Sequence, residues 1–238
     1  MKGSVDRLQI IRSGNTIRGP EVWEKHDGLK IRDLERELGV LNLATVTLVE
    51  TEGKKILIDV SWEGQKDQFF RVSSDENRLA LELKYFGVRP SEIDEIFITH
   101  WHGDHWENIY LFPQATVYYA GVSSDRVKKT LGEIEVENTT VRLKEGDEWH
   151  AGLEILDTHG HTEHDHSVII QYKKKNFIAA GDSIVSKMYY HTETFFPNAR
   201  VEKFRNEHVA SFKKIVERAD FIIPGHDGPF VNYKKDGS

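Results

Sequence analysis

Apolar residues in this chain fall into short dense runs, and most of the runs end in a polar cluster. Residues 43–50 (LATVTLVE) and 55–60 (KILIDV) are two such runs separated by TEGK, which predicts a hairpin. Leu79, Leu83 and Phe86 recur at helical spacing within residues 78–86, and Gly87 follows as a natural C-cap. Residues 95–99 (EIFIT) and 115–119 (ATVYY) read as buried strands, as do 153–157, 167–172, 176–180 and 221–223. A helix from about 201 to 219 carries Phe204, Val209, Phe212, Ile215 and Val216 on a broad apolar face. Strands early in the chain, and strands with helices later, predict an α/β protein whose sheets are covered by helices.

The chemistry gathers where the strands stop. EIFIT runs into His100, LEILDT into His159 and His161, NFIAA into Asp182, and DFIIP into His226. Four strand ends that each deliver His or Asp point to one shared site, because loops held by a rigid sheet are where reactive groups are placed. The densest cluster is Thr99-His100-Trp101-His102-Gly103-Asp104-His105. Imidazole and carboxylate suit zinc, iron or manganese. In a tight loop His100 and His102 can face one way while Asp104 and His105 face another, which favours two adjacent cations.

Composition narrows the classes. The chain has 238 residues, 38% hydrophobic and 30% charged, which suits a protein with a real core and argues against disorder. There is no cysteine, so disulfides, thiol nucleophiles and Cys-ligated zinc are excluded. No apolar stretch is long enough for a membrane span, and the N-terminus lacks the apolar core of a signal peptide, so a cytoplasmic protein without a membrane partner is expected. A net charge of −7 gives no footprint for nucleic acid, which is the less favoured partner beside a small-molecule substrate. The oligomeric state is left open.

The pattern H-x-H-x-D-H after an apolar strand resembles the signature of the metallo-β-lactamase superfamily. Gly160-His161-Thr162, Gly181-Asp182 and Pro224-Gly225-His226 resemble its later motifs in the same order, and Asp59 resembles an early aspartate that supports the ligands. The likeness runs from about residue 43 to 230. It implies a four-layer αβ/βα sandwich in one domain spanning residues 1–238. It further implies two divalent transition metals, zinc first, with iron or manganese as alternatives. His100, His102 and His161 would hold one ion, Asp104, His105 and His226 the other, and Asp182 would bridge them. A bridging hydroxide would then attack an ester, lactone or thioester, with Asp104 handling the proton. A phosphodiesterase or ribonuclease, or an iron redox enzyme, is the alternative on the same fold. The spacing of the motifs resembles the acyl-homoserine lactonase-like group, although no Tyr closely follows Asp182; GHT-x4-SVII from Gly160, AGDS from Ala180 and PGHDGPF from Pro224 resemble more the small metallo-β-lactamase-domain proteins related to a histone pre-mRNA nuclease. Asp59-Val60-Ser61 and Trp106-Glu107-Asn108 depart from the family's commoner residues, as does the run Glu163-His164-Asp165-His166.

Other residues have plainer expectations. His164 and His166 read as supporting or surface residues, and Asp165 as a residue that orients a ligand histidine. His159 is a rival ligand by position. His26, His150, His191 and His208 read as ordinary histidines. Trp101 and Trp106 flank the cluster and are expected to wall a pocket, with Tyr119, Tyr189 and Tyr190 as candidate substrate contacts.

Overall fold

Nearly every central strand is apolar on both of its faces, and the architecture follows from where those faces go. The computed structural model describes residues 3–19, 33–35, 37–38, 42–63, 77–195 and 202–235; His26 and Val201 lie outside them. The first sheet is formed by β1 (Arg7–Arg12), β2 (Val46–Thr51), β3 (Lys54–Ile58), β4 (Glu95–Ile98), β5 (Thr116–Tyr119) and β6 (Thr140–Arg142), in that order. The second runs β12 (Phe230–Val231), β11 (Phe221–Pro224), β10 (Lys175–Gly181), β9 (His166–Tyr172), β8 (Leu153–Asp157) and β7 (Glu148–His150). Strands β3 to β6 pair parallel, as do β10 and β11, and the other pairs are antiparallel.

Alternation along each strand divides its side chains between two layers. Ile56, Ile58 and Phe97 meet Val168, Ile170, Ala179 and Ile223 between the sheets. Leu57, Ile96, Ile98 and Val117 face the other way, onto Leu79 and Leu83 of α1 (Arg78–Tyr85) and Val127 and Leu131 of α3 (Ser124–Gly132). Ile169, Ile178 and Ile222 pack outward on Tyr190 of α4 (Lys187–Thr192) and on Phe212 and Ile215 of α5 (Arg205–Arg218). The result is the four-layer αβ/βα sandwich. Among the described residues no helix is long and apolar enough to cross a membrane.

The predicted hairpin forms, with a tighter link than expected. Thr51 pairs with Lys54, so only Glu52 and Gly53 turn, at φ of 51° and 75°. Asn77 caps α1 by accepting from Leu79 N and Ala80 N, and Gly87 ends it at φ 77°. One expectation needs correction. The His/Asp cluster is not all loop: Gly103–Trp106 forms a helical turn, α2, continued by a 3₁₀ turn over Glu107–Leu111. This puts Asp104 and His105 on a helix while His100 and His102 precede it.

Candidate metal centre

Four groups of the site arrive at the C-terminal ends of strands. His100 follows β4 with one residue between, His161 follows β8, Asp182 immediately follows β10, and His226 follows β11. The backbone there is tightly fitted. Gly181 takes φ 51°, and a Cβ on Gly225 would overlap Asp182 Oδ1. His226 N donates to Val185 O and Gly225 N to Ile184 O, which locks the β11 loop against the turn that carries Asp182.

Seven of the predicted side chains come together. His100 Nε2 and His161 Nε2 each lie 3.1 Å from His102 Nδ1. Asp182 Oδ2 is 3.3 Å from His161 Nε2 and 3.8 Å from His100 Nε2. Its other oxygen, Oδ1, is 3.3 Å from both His105 Nε2 and His226 Nε2. Asp104 Oδ2 stands 3.5 Å from His226 Nε2. Two clusters of metal-capable atoms result, His100, His102, His161 and Asp182 in one and Asp104, His105 and His226 in the other.

The donor chemistry fits cations. Nitrogens at about 2.0–2.1 Å from a tetrahedral ion stand about 3.3 Å from one another, close to the spacing of these rings. One proton on His102 Nδ1 can serve only one of the two Nε2 atoms that face it, whereas a cation between them serves all three. His105 Nε2 and Asp182 Oδ1 are buried and 3.3 Å apart, yet neither makes a hydrogen bond. Buried polar atoms left in this way are costly unless something binds them.

Further residues hold the inner ones in place. Asp59, at φ 54°, accepts from Thr99 N and from Thr99 Oγ1, both at 2.8 Å, and from His105 Nδ1 at 2.8 Å. His226 Nδ1 donates to Leu43 O at 3.1 Å. These bonds leave Nε2 of both rings as the atom directed inward. Asp165 accepts from Thr162 N and Thr162 Oγ1, and its Oδ1 is 4.0 Å from His100 Nδ1. It therefore ties the His161 loop together rather than gripping His100.

Burial and neighbouring charge set the protonation of the unliganded groups. Burial, with His105 and His102 adding repulsion, holds His100 well below the ordinary histidine range; burial pulls His161 down to about 3. Burial opposes charge on His105 and His226 too, but Asp59 and Asp182 outweigh it for the first, and Asp182 and Asp104 for the second, so both are raised. Burial also works against the Asp182 carboxylate, and His226, His105 and His161 overcome it to hold the group well below its usual range. Burial lifts Asp165 to about 8.

Several expectations change. His159 is bound to Asp157 Oδ1 at 2.7 Å and lies outside both clusters. Trp101 and Trp106 both pack into the core under the first sheet, and Trp101 also lines a cavity beside His102. The tyrosines are spent elsewhere: Tyr119 OH donates to Ser124 Oγ, Tyr190 OH to Asn232 Oδ1 and Tyr189 OH to Arg18 O. Asn108 is buried and donates to Val60 O at 3.0 Å.

Two residues had no signal strong enough to find them. Asn42, at φ 47°, donates Nδ2 to Asp104 Oδ2 at 3.2 Å; its only mark is that Asn tolerates left-handed backbone. His208 is buried, bonds Ser183 O through Nε2 at 3.0 Å, and packs its backbone where a Cβ on Gly160 would sit. It joins the loops that carry His161 and Asp182.

Comparison with known proteins places the chain in a family. Residues 40–226 match the family model of the metallo-beta-lactamase superfamily. A protein named "Probable metallo-hydrolase" from Methanocaldococcus jannaschii is 30% identical over 161 residues, which cover 67% of this chain and 68% of that protein. An N-acyl homoserine lactonase from Bacillus sp is 25% identical, over 76% of this chain and 79% of its own. The crystal structure of a quorum-quenching N-acyl homoserine lactone lactonase superposes with a TM-score of 0.69 at 20% identity, covering 95% of this chain and 94% of that one.

Proposed function

Because the chain belongs to the metallo-β-lactamase superfamily and is a metal-dependent hydrolase, we propose that it binds two divalent transition metals, zinc in the first instance, and cleaves an ester, lactone or thioester bond in a small molecule. The observation that carries this reading is the division of Asp182, one oxygen toward His100 and His161 and the other toward His105 and His226. His100, His102 and His161 would hold one ion, Asp104, His105 and His226 the other, and Asp182 both. Bound there, such ions supply a Lewis acid for the carbonyl oxygen and lower the pKa of a bound water.

The chain's own residues do the rest. Asp59 keeps the proton of His105 on Nδ1, and the Leu43 carbonyl does the same for His226. Asn42 fixes Asp104 through Oδ2. We assign the other oxygen, Oδ1, to take the proton that water gives up as it adds to the carbonyl carbon, and to pass it to the leaving group as the acyl–oxygen or acyl–sulfur bond breaks. Trp101, nearly buried, gives the site an aromatic wall beside His102. The lactonases among the relatives support a carbonyl substrate, and the net charge of −7 disfavours a polyanionic one.

The test is kcat/KM of metal-loaded protein for lactones, thioesters and aryl esters against single-stranded RNA and a simple phosphodiester. Turnover of carbonyl substrates is expected. Turnover of phosphodiesters alone, falling steeply with added salt, would overturn the reading.

A further inference from the structure

A cavity of about 500 Å³ opens beside the candidate metal centre on the side of His102. Its size falls within the roughly 300–1,000 Å³ of small-molecule sites. Trp101 and Phe204 give it aromatic walls, and Arg126, Glu163 and Lys203 line it as well. His102 belongs both to this cavity and to the first ligand cluster. A molecule whose reacting carbonyl lies at the centre therefore extends past Trp101 toward Arg126 and Lys203.

The charge here runs against that of the whole chain. The protein carries −7, yet the cavity has two permanent cations and one carboxylate. Lys203 Nζ lies 3.8 Å from Glu163 Oε1, so this lysine is already partly compensated. The Arg126 guanidinium has no ion pair or hydrogen bond among the described residues; only its backbone N–H is engaged, by the Ser123 cap of α3. Its neighbour Val127 is fully buried, so the helix that presents Arg126 is anchored in the core. Arg126 also faces the cavity electrostatically: after burial, it is the largest cause holding His164, another lining residue, below the ordinary histidine range. A guanidinium without a partner offers a planar pair of donors that matches a carboxylate or a phosphate.

We propose that the substrate carries a negative group, carboxylate or phosphate, received by Arg126 with added attraction from Lys203, while Trp101 and Phe204 pack against its apolar middle. The identity of the bond that breaks rests on the hydrolase reading above; recognition of the anion rests on the cavity. Both cations stand at the solvent edge, so they select and steer more than they hold.

The test compares 4-nitrophenyl esters of neutral alkanoic acids with esters of matched length ending in carboxylate or phosphonate. Two to six methylenes separate ester and charge, and the full-length metal-loaded protein is used. At the best length the charged ester should exceed the neutral one in kcat/KM by about tenfold or more, and 0.5 M salt should narrow the gap. The carboxylate and phosphonate series show which anion is preferred. Arg126→Glu should bring the ratio below one, whereas Lys128→Gln, at an exposed position of the same helix, should leave it unchanged. A preference for the neutral ester at every length overturns the proposal and leaves the hydrolase reading standing. If no ester turns over, the hydrolase reading has failed and calorimetry decides the anion site. Glutarate should then bind about tenfold tighter than pentanoate, a difference lost in Arg126→Glu, and equal binding overturns the site.

Discussion

The two halves of the candidate centre are held by different means. His105, His226 and Asp104 are each gripped from outside, by Asp59, by the Leu43 carbonyl and by Asn42. Those three supports come from the first sheet's early connections, residues 42–43 and 59. His100, His102 and His161 instead converge on one another; His100 Nδ1 meets its own neighbour, Thr99 Oγ1, at 3.3 Å, and the carboxylate behind them, Asp165, is engaged by Thr162 of the His161 loop. One half is thus held by partners from distant segments, and the other largely within the two loops that carry it. A support that touches one ligand should affect one ion, while Asp182, shared by both halves, should affect both.

The largest effect is therefore expected for Asp182→Ala. On the proposed two-ion reading, removing this carboxylate takes away the ligand common to the two histidine sets and the negative charge between the ions. Metal content should fall by at least one ion per chain, and kcat/KM should drop about a hundredfold or more. Metal analysis alongside turnover checks this; a variant that keeps both metals and full activity removes the bridging role.

A smaller and unequal effect is expected for Asp59→Asn. The amide keeps the size of the side chain but weakens its hold on His105 Nδ1, so affinity for one ion should fall about 10- to 100-fold, and that for the other by less, through the Thr99 bonds beside His100. Asp165→Asn should act on the opposite half, loosening the Thr162 turn and the His161 loop with it. Stepwise metal titration of the two variants separates the halves. Equal loss of both ions in either variant would contradict the division.

How much of this was readable in the sequence depends on where the information lies. The central strands were readable because burial on both faces writes them as unbroken apolar runs such as KILIDV and EIFIT. The candidate site residues were readable because His and Asp crowd the ends of those runs. Strands β6, β7 and β12 have only two or three residues each, and pairing with neighbours rather than local pattern makes them strands. Helix α3 shows only Val127 and Leu131 as buried residues, too few to mark a stripe. The supports were the hardest to find. Asn42 lies 62 residues from Asp104, and the Leu43 acceptor is a backbone carbonyl, which no side-chain pattern reports.

The smallest effect lies away from the centre and serves as a control. His150 lies between Glu52 and Glu95, with 2.9 Å contacts to each. Burial opposes its charge, but the hydrogen bonds to the two carboxylates outweigh it and raise its pKa above the ordinary 6.5. The folded protein holds this proton more tightly than the unfolded chain. The stabilisation is thus fully present below pH 6.5 and is lost as pH rises through the raised value. Glu52 is more than half exposed, so solvent screening limits the gain to under about 1 kcal/mol. The Tm difference between wild type and His150→Gln should shrink by a few degrees or less from pH 6 to pH 9, with metal occupancy unchanged. A difference that grows with pH would contradict the sign.

The most direct test is the number of transition-metal ions per chain at saturation, measured by mass spectrometry of metals on protein purified without chelator. Two ions per chain, bound in two resolvable steps, is the expected result. One ion at saturation, with the Asp104, His105 and His226 set empty in a crystal structure, would contradict the two-ion centre.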